Sequence, residues 1–161
     1  MSIRILIAAL LICSATPAFA SQIRYPETGN PAITAEVPDS WRKETRDDGY
    51  LHISTIDHTL EVLFSIVPFT GTLDEAAKAA TKANHATTPG RGDAVKVSGR
   101  DGYIYYSLMA DDNGKILNLK MIVVQLDADN VGIFVLISPD KANALLMRAS
   151  QAVLDSIHLA Q

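Results

Sequence analysis

The stretch ILNLKMIVVQL, residues 116–126, decides the fold. Its side chains are apolar on both sides of an extended chain, and only Asn118, Lys120 and Gln125 interrupt them. Successive residues of a strand point to opposite faces. A strand with one wet face alternates polar with apolar, whereas one apolar on both faces needs cover on both. This segment therefore predicts a central strand with packing layers above and below it.

Working outward, turn chemistry brackets the strand on both sides. Asp111-Asp112-Asn113-Gly114 precedes it and Asp127 to Asn130 follows it, both rich in the residues that form tight turns. Beyond them, residues 102–110 and 131–137 read as strands, and a turn at Gly99-Arg100-Asp101-Gly102 leads back to a strand over 94–98. Links this short join antiparallel neighbours. Upstream, Ile33–Val37, Trp41–Arg46, Tyr50–Ile56 and Thr59–Pro68 read as further strands, with a hairpin signal at Asp47-Asp48-Gly49.

Two helices interrupt the strands. Thr72 and Glu75 stand at capping-box spacing, and Leu73, Ala76, Ala77, Ala80 and Ala83 recur at helical period up to about His85. Ser138-Pro139 is expected to open the second helix, serine as N-cap and proline at the first position. Its apolar stripe runs from Ala142 through Leu145, Leu146, Ala149, Val153 and Ile157 to about His158. The expectation is an α+β fold: a mostly antiparallel sheet with amphipathic helices packed on it, arranged as a three-layer α/β/α sandwich.

The first twenty residues read as an address. Arg4 precedes an apolar run from Ile5 to Ile12, and Ala18-Phe19-Ala20 forms an A-x-A site to be cut before Ser21. The run is too short to cross a bilayer, which needs about 20 residues. Export to a periplasm or beyond is expected. Residues 21–32, with Pro26, Gly29 and Pro31, read as an extended N-terminal leader, and residues 33–161 as a single domain. The one cysteine, Cys13, falls in the signal segment, where the preceding Ile12 argues against lipidation. No disulfide or thiol chemistry is expected of the mature chain.

Without the signal, thirteen basic residues face eighteen acidic ones, a net charge of −5 against −4 for the whole chain. Such a chain has no general attraction for phosphate backbones or anionic lipid, so nucleic acid is not an expected partner. After residue 20 no apolar run reaches membrane-spanning length; Met121–Val124 is a strand core.

Candidate sites are sparse. His52, Asp57 and His58 form the densest ligand-like group, a conceivable metal or catalytic set if the chain turned back on itself. Near a strand–turn–strand junction, ordinary surface histidines are the stronger reading, and no metal or cofactor is expected. His85 and His158 fall in the last turns of the expected helices, where a cation suits the helix dipole. Asp127-Ala128-Asp129-Asn130-Val131-Gly132 faintly resembles a calcium loop, but Val131 and Ser138 stand where oxygen ligands are required.

Tyr103, Tyr105 and Tyr106 crowd one strand, with Tyr103 and Tyr105 on one face. With Lys120 on the neighbouring strand they form the candidate binding surface, set against the plain alternative of β-sheet packing. Gly90-Arg91-Gly92-Asp93 carries an adhesion-type tripeptide too short to weigh. A Gly-x-Ser-x-Gly elbow and a phosphate-binding glycine loop are both absent from the sequence.

The layout resembles the α/β/α sandwich of PsbP-type photosystem II extrinsic proteins, Ran-binding Mog-type proteins and small exported bacterial relatives. Val37-Pro38-Asp39-Ser40-Trp41, Leu73-Asp74-Glu75-Ala76-Ala77, Gly102 before the tyrosine strand and Asp155-Ser156-Ile157 carry the resemblance, over residues 33–159. It implies non-catalytic binding or assembly roles and supplies no catalytic set to carry over. The expected function is that of an exported, non-enzymatic binding or accessory protein acting on an unknown periplasmic protein. The alternatives are an immunity protein against an exported toxin, and a small His-dependent hydrolase or metal-binding protein.

Overall fold

A computed structural model describes residues 20–160. Most of the expected signal segment, including Ala18, lies outside them. Ala20 and Ser21 open strand β1 (Ala20–Tyr25), so the first residues of the expected leader are extended and paired. β1 lies antiparallel to β2 (Ala32–Pro38). There follow β3 (Arg42–Thr45), β4 (Leu51–Ser54), β5 (Glu61–Pro68) and helix α1 (Leu73–Ala83). The rest comprises β6 (Asp93–Val97), β7 (Arg100–Ala110), β8 (Ile116–Gln125), β9 (Asn130–Pro139), helix α2 (Ala144–Asp155) and β10 (His158–Ala160).

Seven strands form one sheet in the order β3-β4-β5-β9-β8-β7-β6, and every neighbouring pair is antiparallel. A second, three-stranded sheet has the order β1-β2-β10. The fold is α+β with mostly antiparallel strands. The doubly apolar β8 lies inside the large sheet, between β9 and β7. Met121 is opposite Tyr105 and Val135; Ile122 is opposite Ile104 and Phe134.

Alternation along the strands divides the core in two. On one face Val62, Phe64, Ile122, Val124, Phe134 and Leu136 pack with Ile33 and Val37 of β2 and with Val153, Leu154 and Ile157 from α2 and its end. On the other, Leu63, Tyr105, Met121, Val123, Ile133 and Val135 pack against Ala76, Ala77 and Ala80 of α1. Alanine lacks side-chain reach, so α1 must approach the sheet closely to bury these methyls. Both faces of β8 therefore carry apolar cover. The sequence reading had not anticipated that the small sheet shares the α2 face.

The start of α1 follows its cap. The Thr72 hydroxyl accepts from the Glu75 amide at 3.3 Å, and the Glu75 carboxylate accepts from the Thr72 amide at 2.8 Å. This satisfies two of the donors a helix N-terminus leaves free. The two Thr72 groups that donate to Glu75, amide first and then hydroxyl, hold its carboxyl below the ordinary value.

Three expectations are corrected. Ser138 and Pro139 do not open α2; they end β9, with Pro139 opposite Leu117. A strand terminus tolerates a residue without an N–H. The N-cap is Asn143, whose side-chain oxygen accepts from the Leu145 amide at 2.8 Å. Helix α2 also stops at Asp155, so His158 lies in β10 rather than in a last helical turn. The β6–β7 turn is shorter than expected. Ser98 and Gly99, with φ of 49° and 81°, make the two-residue hairpin, and Arg100 to Gly102 already belong to β7. Gly102 is needed there because a Cβ would stand 2.8 Å from the Val123 carbonyl oxygen.

Candidate functional site

Strands β7 and β8, of 11 and 10 residues, extend roughly 33–36 Å. Helix α2, of 12 residues, spans only about 18 Å. On the α2 face, beside the cover that α2 and the small sheet provide, a groove of about 560 Å³ opens between the large sheet and the start of α2. Its floor comes from Tyr106 and Leu108 of β7, Asn118 and Lys120 of β8, and Leu136 and Ser138 of β9; Ala142 and Met147 wall the helix side. Tyr106 is 61% exposed, Leu108 45% and Ile116 54%, high values for large apolar side chains. An adjoining hollow is lined by Lys115, Ile116, Pro139, Asp140 and Lys141.

Lys120 points into this groove, half-buried, and its Nζ donates to Gln151 Oε1 at 2.8 Å. Gln151 in turn donates to Asp155 at 2.6 Å, which fixes the amide and so the ammonium. Residues 106, 108, 118, 120, 136 and 138 share this face by register.

The expected binding surface of Tyr103, Tyr105 and Lys120 is not a single surface. Tyr103 and Tyr105 face α1, and Lys120 faces α2. Tyr105 is 1% exposed, and its hydroxyl donates to the Asp74 carboxylate in the first turn of α1. Burial first, then that carboxylate, pushes the Tyr105 phenol far above its ordinary value. Tyr103 is 39% exposed, with its ring centroid 6.3 Å from that of Tyr105. Tyr105 is a core residue that ties β7 to α1. Tyr105→Phe keeps the packing and removes the bond, so a stability loss of about 1 kcal/mol is expected by urea titration. No change above error would show that the Asp74 contact contributes nothing.

His52, Asp57 and His58 do not converge either. Leu51 and Ile53 of β4 face the α2-side core, so His52 points to the other face. There it lies buried between two carboxylates, Nδ1 at 2.6 Å from Glu61 Oε1 and Nε2 at 2.8 Å from Asp48 Oδ2. Each ring nitrogen lies within hydrogen-bond reach of a carboxylate oxygen, so the ring links Asp48 to Glu61. Arg46 Nη1 stands 3.6 Å from Glu61. Asp57 instead accepts from Thr55 Oγ1 at 2.6 Å and from the Thr59 hydroxyl and amide at 2.9 and 3.2 Å. These bonds, that of Thr55 foremost, lower its pKa and commit the carboxylate to its own turn. His58 takes positive φ, with its ring near Arg42 at 3.2 Å and Ser54 at 3.4 Å. Among the described residues, no three His, Cys, Asp or Glu side chains are grouped to hold a metal. His85 falls just past the Asn84 C-cap of α1. Asp127 accepts from the Asp129 amide and the Asn130 side chain, both at 2.9 Å, which closes its turn.

Sequence reasoning missed the groove and the partners of His52. Its signal for the groove was Tyr106 and Leu108, two residues apart on the face opposite Tyr105. Of the His52 partners, Asp48 comes from the turn before β4, and Glu61 from pairing β4 with β5, which no local pattern reports.

No family model matches the chain, and no curated protein matches it significantly. Solved structures do match. The fold is that of the PsbP and Mog1 proteins. Cyanobacterial PsbP of Synechocystis matches with a TM-score of 0.61 at 16% identity, over 94% of this chain and 99% of that one. The yeast Ran-binding protein Mog1p matches with 0.59 at 13%, over 89% and 97%. LpqN of Mycobacterium tuberculosis, described as involved in cell envelope biogenesis, matches with 0.57 at 15%, over 89% and 91%. A Bacteroides thetaiotaomicron protein matches with 0.55 at 12% over 80% of this chain, which spans 45% of that protein's length. Among the described residues, no helix is long and apolar enough to cross a membrane.

Proposed function

We propose that this chain is an exported, non-enzymatic binding or accessory protein, and that it acts by contact between another protein and the α2-face groove. The observation that carries the reading is the run of exposed apolar side chains, Tyr106, Leu108 and Ile116, on the sheet face beside the start of α2. Large apolar side chains gathered on one surface mark contact sites more often than solitary exposed ones do. Likeness of fold to a Ran-binding protein and to a protein of envelope biogenesis supports a binding role and an envelope setting. In this reading the fold is a three-layer α/β/α arrangement with the small sheet added to the α2 layer. Residues 1–20 are a signal peptide cut before Ser21, residues 21–32 a leader, and residues 33–161 the domain. Lys120 belongs to the contact surface, and Tyr103, on the opposite face, does not.

A photo-reactive phenylalanine analogue at Tyr106, introduced in living cells, tests the proposal. One saturable adduct at position 106, absent when the analogue replaces Tyr103, is the expected result. Adducts of equal pattern at both positions, or none at 106, would overturn it. N-terminal sequencing of the exported chain checks the cut, with Ser21 expected first.

A further inference from the structure

The groove differs in charge from the molecule around it. The chain carries a net charge of −4, yet the groove and its adjoining hollow present Lys115, Lys120 and Lys141 against one acidic side chain, Asp140. Among the described residues none of these three lysines forms an ion pair, whereas Lys96 pairs with Asp101 at 2.5 Å. Lys120 is half-buried, and the one hydrogen bond that holds its ammonium goes to the neutral amide of Gln151. A cation held beside exposed apolar side chains without a carboxylate is a ready counterpart for one.

We infer that the groove takes an acidic segment of a partner protein, one that places a carboxylate on Lys120 and an apolar side chain beside Tyr106 and Leu108. This rests on the groove being the contact surface proposed above. Charge and shape together choose the occupant. The three lysines favour an anion, and exposed Tyr106, Leu108 and Ile116 favour one attached to hydrocarbon. The hollow shape favours a chain segment over a bilayer, because a planar surface cannot enter the groove to reach Lys120. The surrounding negative charge would repel an anionic membrane but leaves a short acidic segment to the local field.

The probe is a display library of random peptides panned on the immobilised protein, after which selected peptides are synthesised and titrated. Enriched peptides are expected to carry Asp or Glu within a few residues of Leu, Phe or Trp. K120E should weaken their binding by about tenfold or more. K141E and K115E, at exposed positions where folding is not at risk, should each weaken it by a smaller factor. K96E, far from the groove, should leave it unchanged. A peptide with its acid reversed to Lys should regain affinity for K120E, and added salt should weaken the native pair. The inference is overturned by selected peptides without acids, by binding indifferent to K120E and K141E together, or by Lys120-dependent binding to phosphatidylglycerol vesicles with no peptide selected. The failures separate: a Tyr106 adduct that survives K120E keeps the contact surface and removes the acidic partner, whereas no adduct at Tyr106 removes both.

Discussion

Phe134→Ala is expected to lower unfolding stability by about 3–5 kcal/mol, the usual cost of deleting a fully buried phenylalanine ring. Phe134 is fully buried in β9, between β5 and β8, opposite Phe64 on one side and Ile122 on the other. Its ring meets that of Phe64 edge to face, with centroids 5.4 Å apart and planes at 87°. Such a pair contributes about 0.5–1.5 kcal/mol beyond area burial. The vacated space cannot close easily, since β9 is hydrogen-bonded on both sides and the face is roofed by β2 and α2. The melting temperature should fall by roughly 10 °C. Urea unfolding would show a lower midpoint with an unchanged slope. A loss below about 1 kcal/mol would mean that this face of the sheet is not packed as a single core. Phe134→Leu, which refills most of the volume, should cost less.

The second large effect is at His52. His52→Ala removes a ring that is 7% exposed and leaves Asp48 and Glu61 without the hydrogen-bond partner between them. A loss of roughly 3 kcal/mol is expected, from the cavity and from the lost hydrogen bonds. The pH dependence supplies a separate readout. Partial burial tends to raise the Asp48 pKa, but the Tyr50 amide and the His52 ring outweigh it, and the net shift is downward. A carboxyl with a lowered folded pKa adds stability above its unfolded value, near 3.9, and that stability is lost as pH falls through the folded value. The native chain should therefore lose stability in acid, below about pH 4, partly through Asp48. His52→Ala should show a shallower acid loss, because Asp48 then keeps only the Tyr50 amide and the charge of Arg46. Parallel stability–pH curves for the two proteins would refute the bridging role of His52.

These two residues show where the sequence was readable. Phe134 sits in a stretch that local pattern alone marks as a buried strand. The α1 capping box is equally local, since Thr72 and Glu75 are three residues apart and their chemistry requires no distant partner. The meander was legible because Asp, Asn and Gly in short turns can hardly do anything else between strands. Ser138-Pro139 misled because serine followed by proline suits the end of a strand as well as the start of a helix. The choice was made by Asn143, five residues on, which caps α2 instead.

The candidate site was less legible. Tyr103 and Tyr105 were read with Lys120 as one surface, but the register puts Lys120 opposite Tyr106, so Tyr105 goes into α1 while Lys120 and Tyr106 share the α2 face. Which face is wet depends on where each helix lands. His52 read as a surface histidine because its two carboxylates arrive from a turn and from the next strand. From the sequence alone came the α+β class, the antiparallel meander, the doubly covered central strand, the α1 cap and the resemblance to PsbP and Mog-type proteins. The first four follow from local propensity and periodicity, which act over a few residues; the last is a resemblance carried by short motifs and their order along the chain. The groove, the placement of Lys120 within it, the burial of Tyr105 and the His52 bridge were decided only by tertiary structure. They depend on where the helices and the small sheet land on the large sheet, and on pairing between strands distant in the chain.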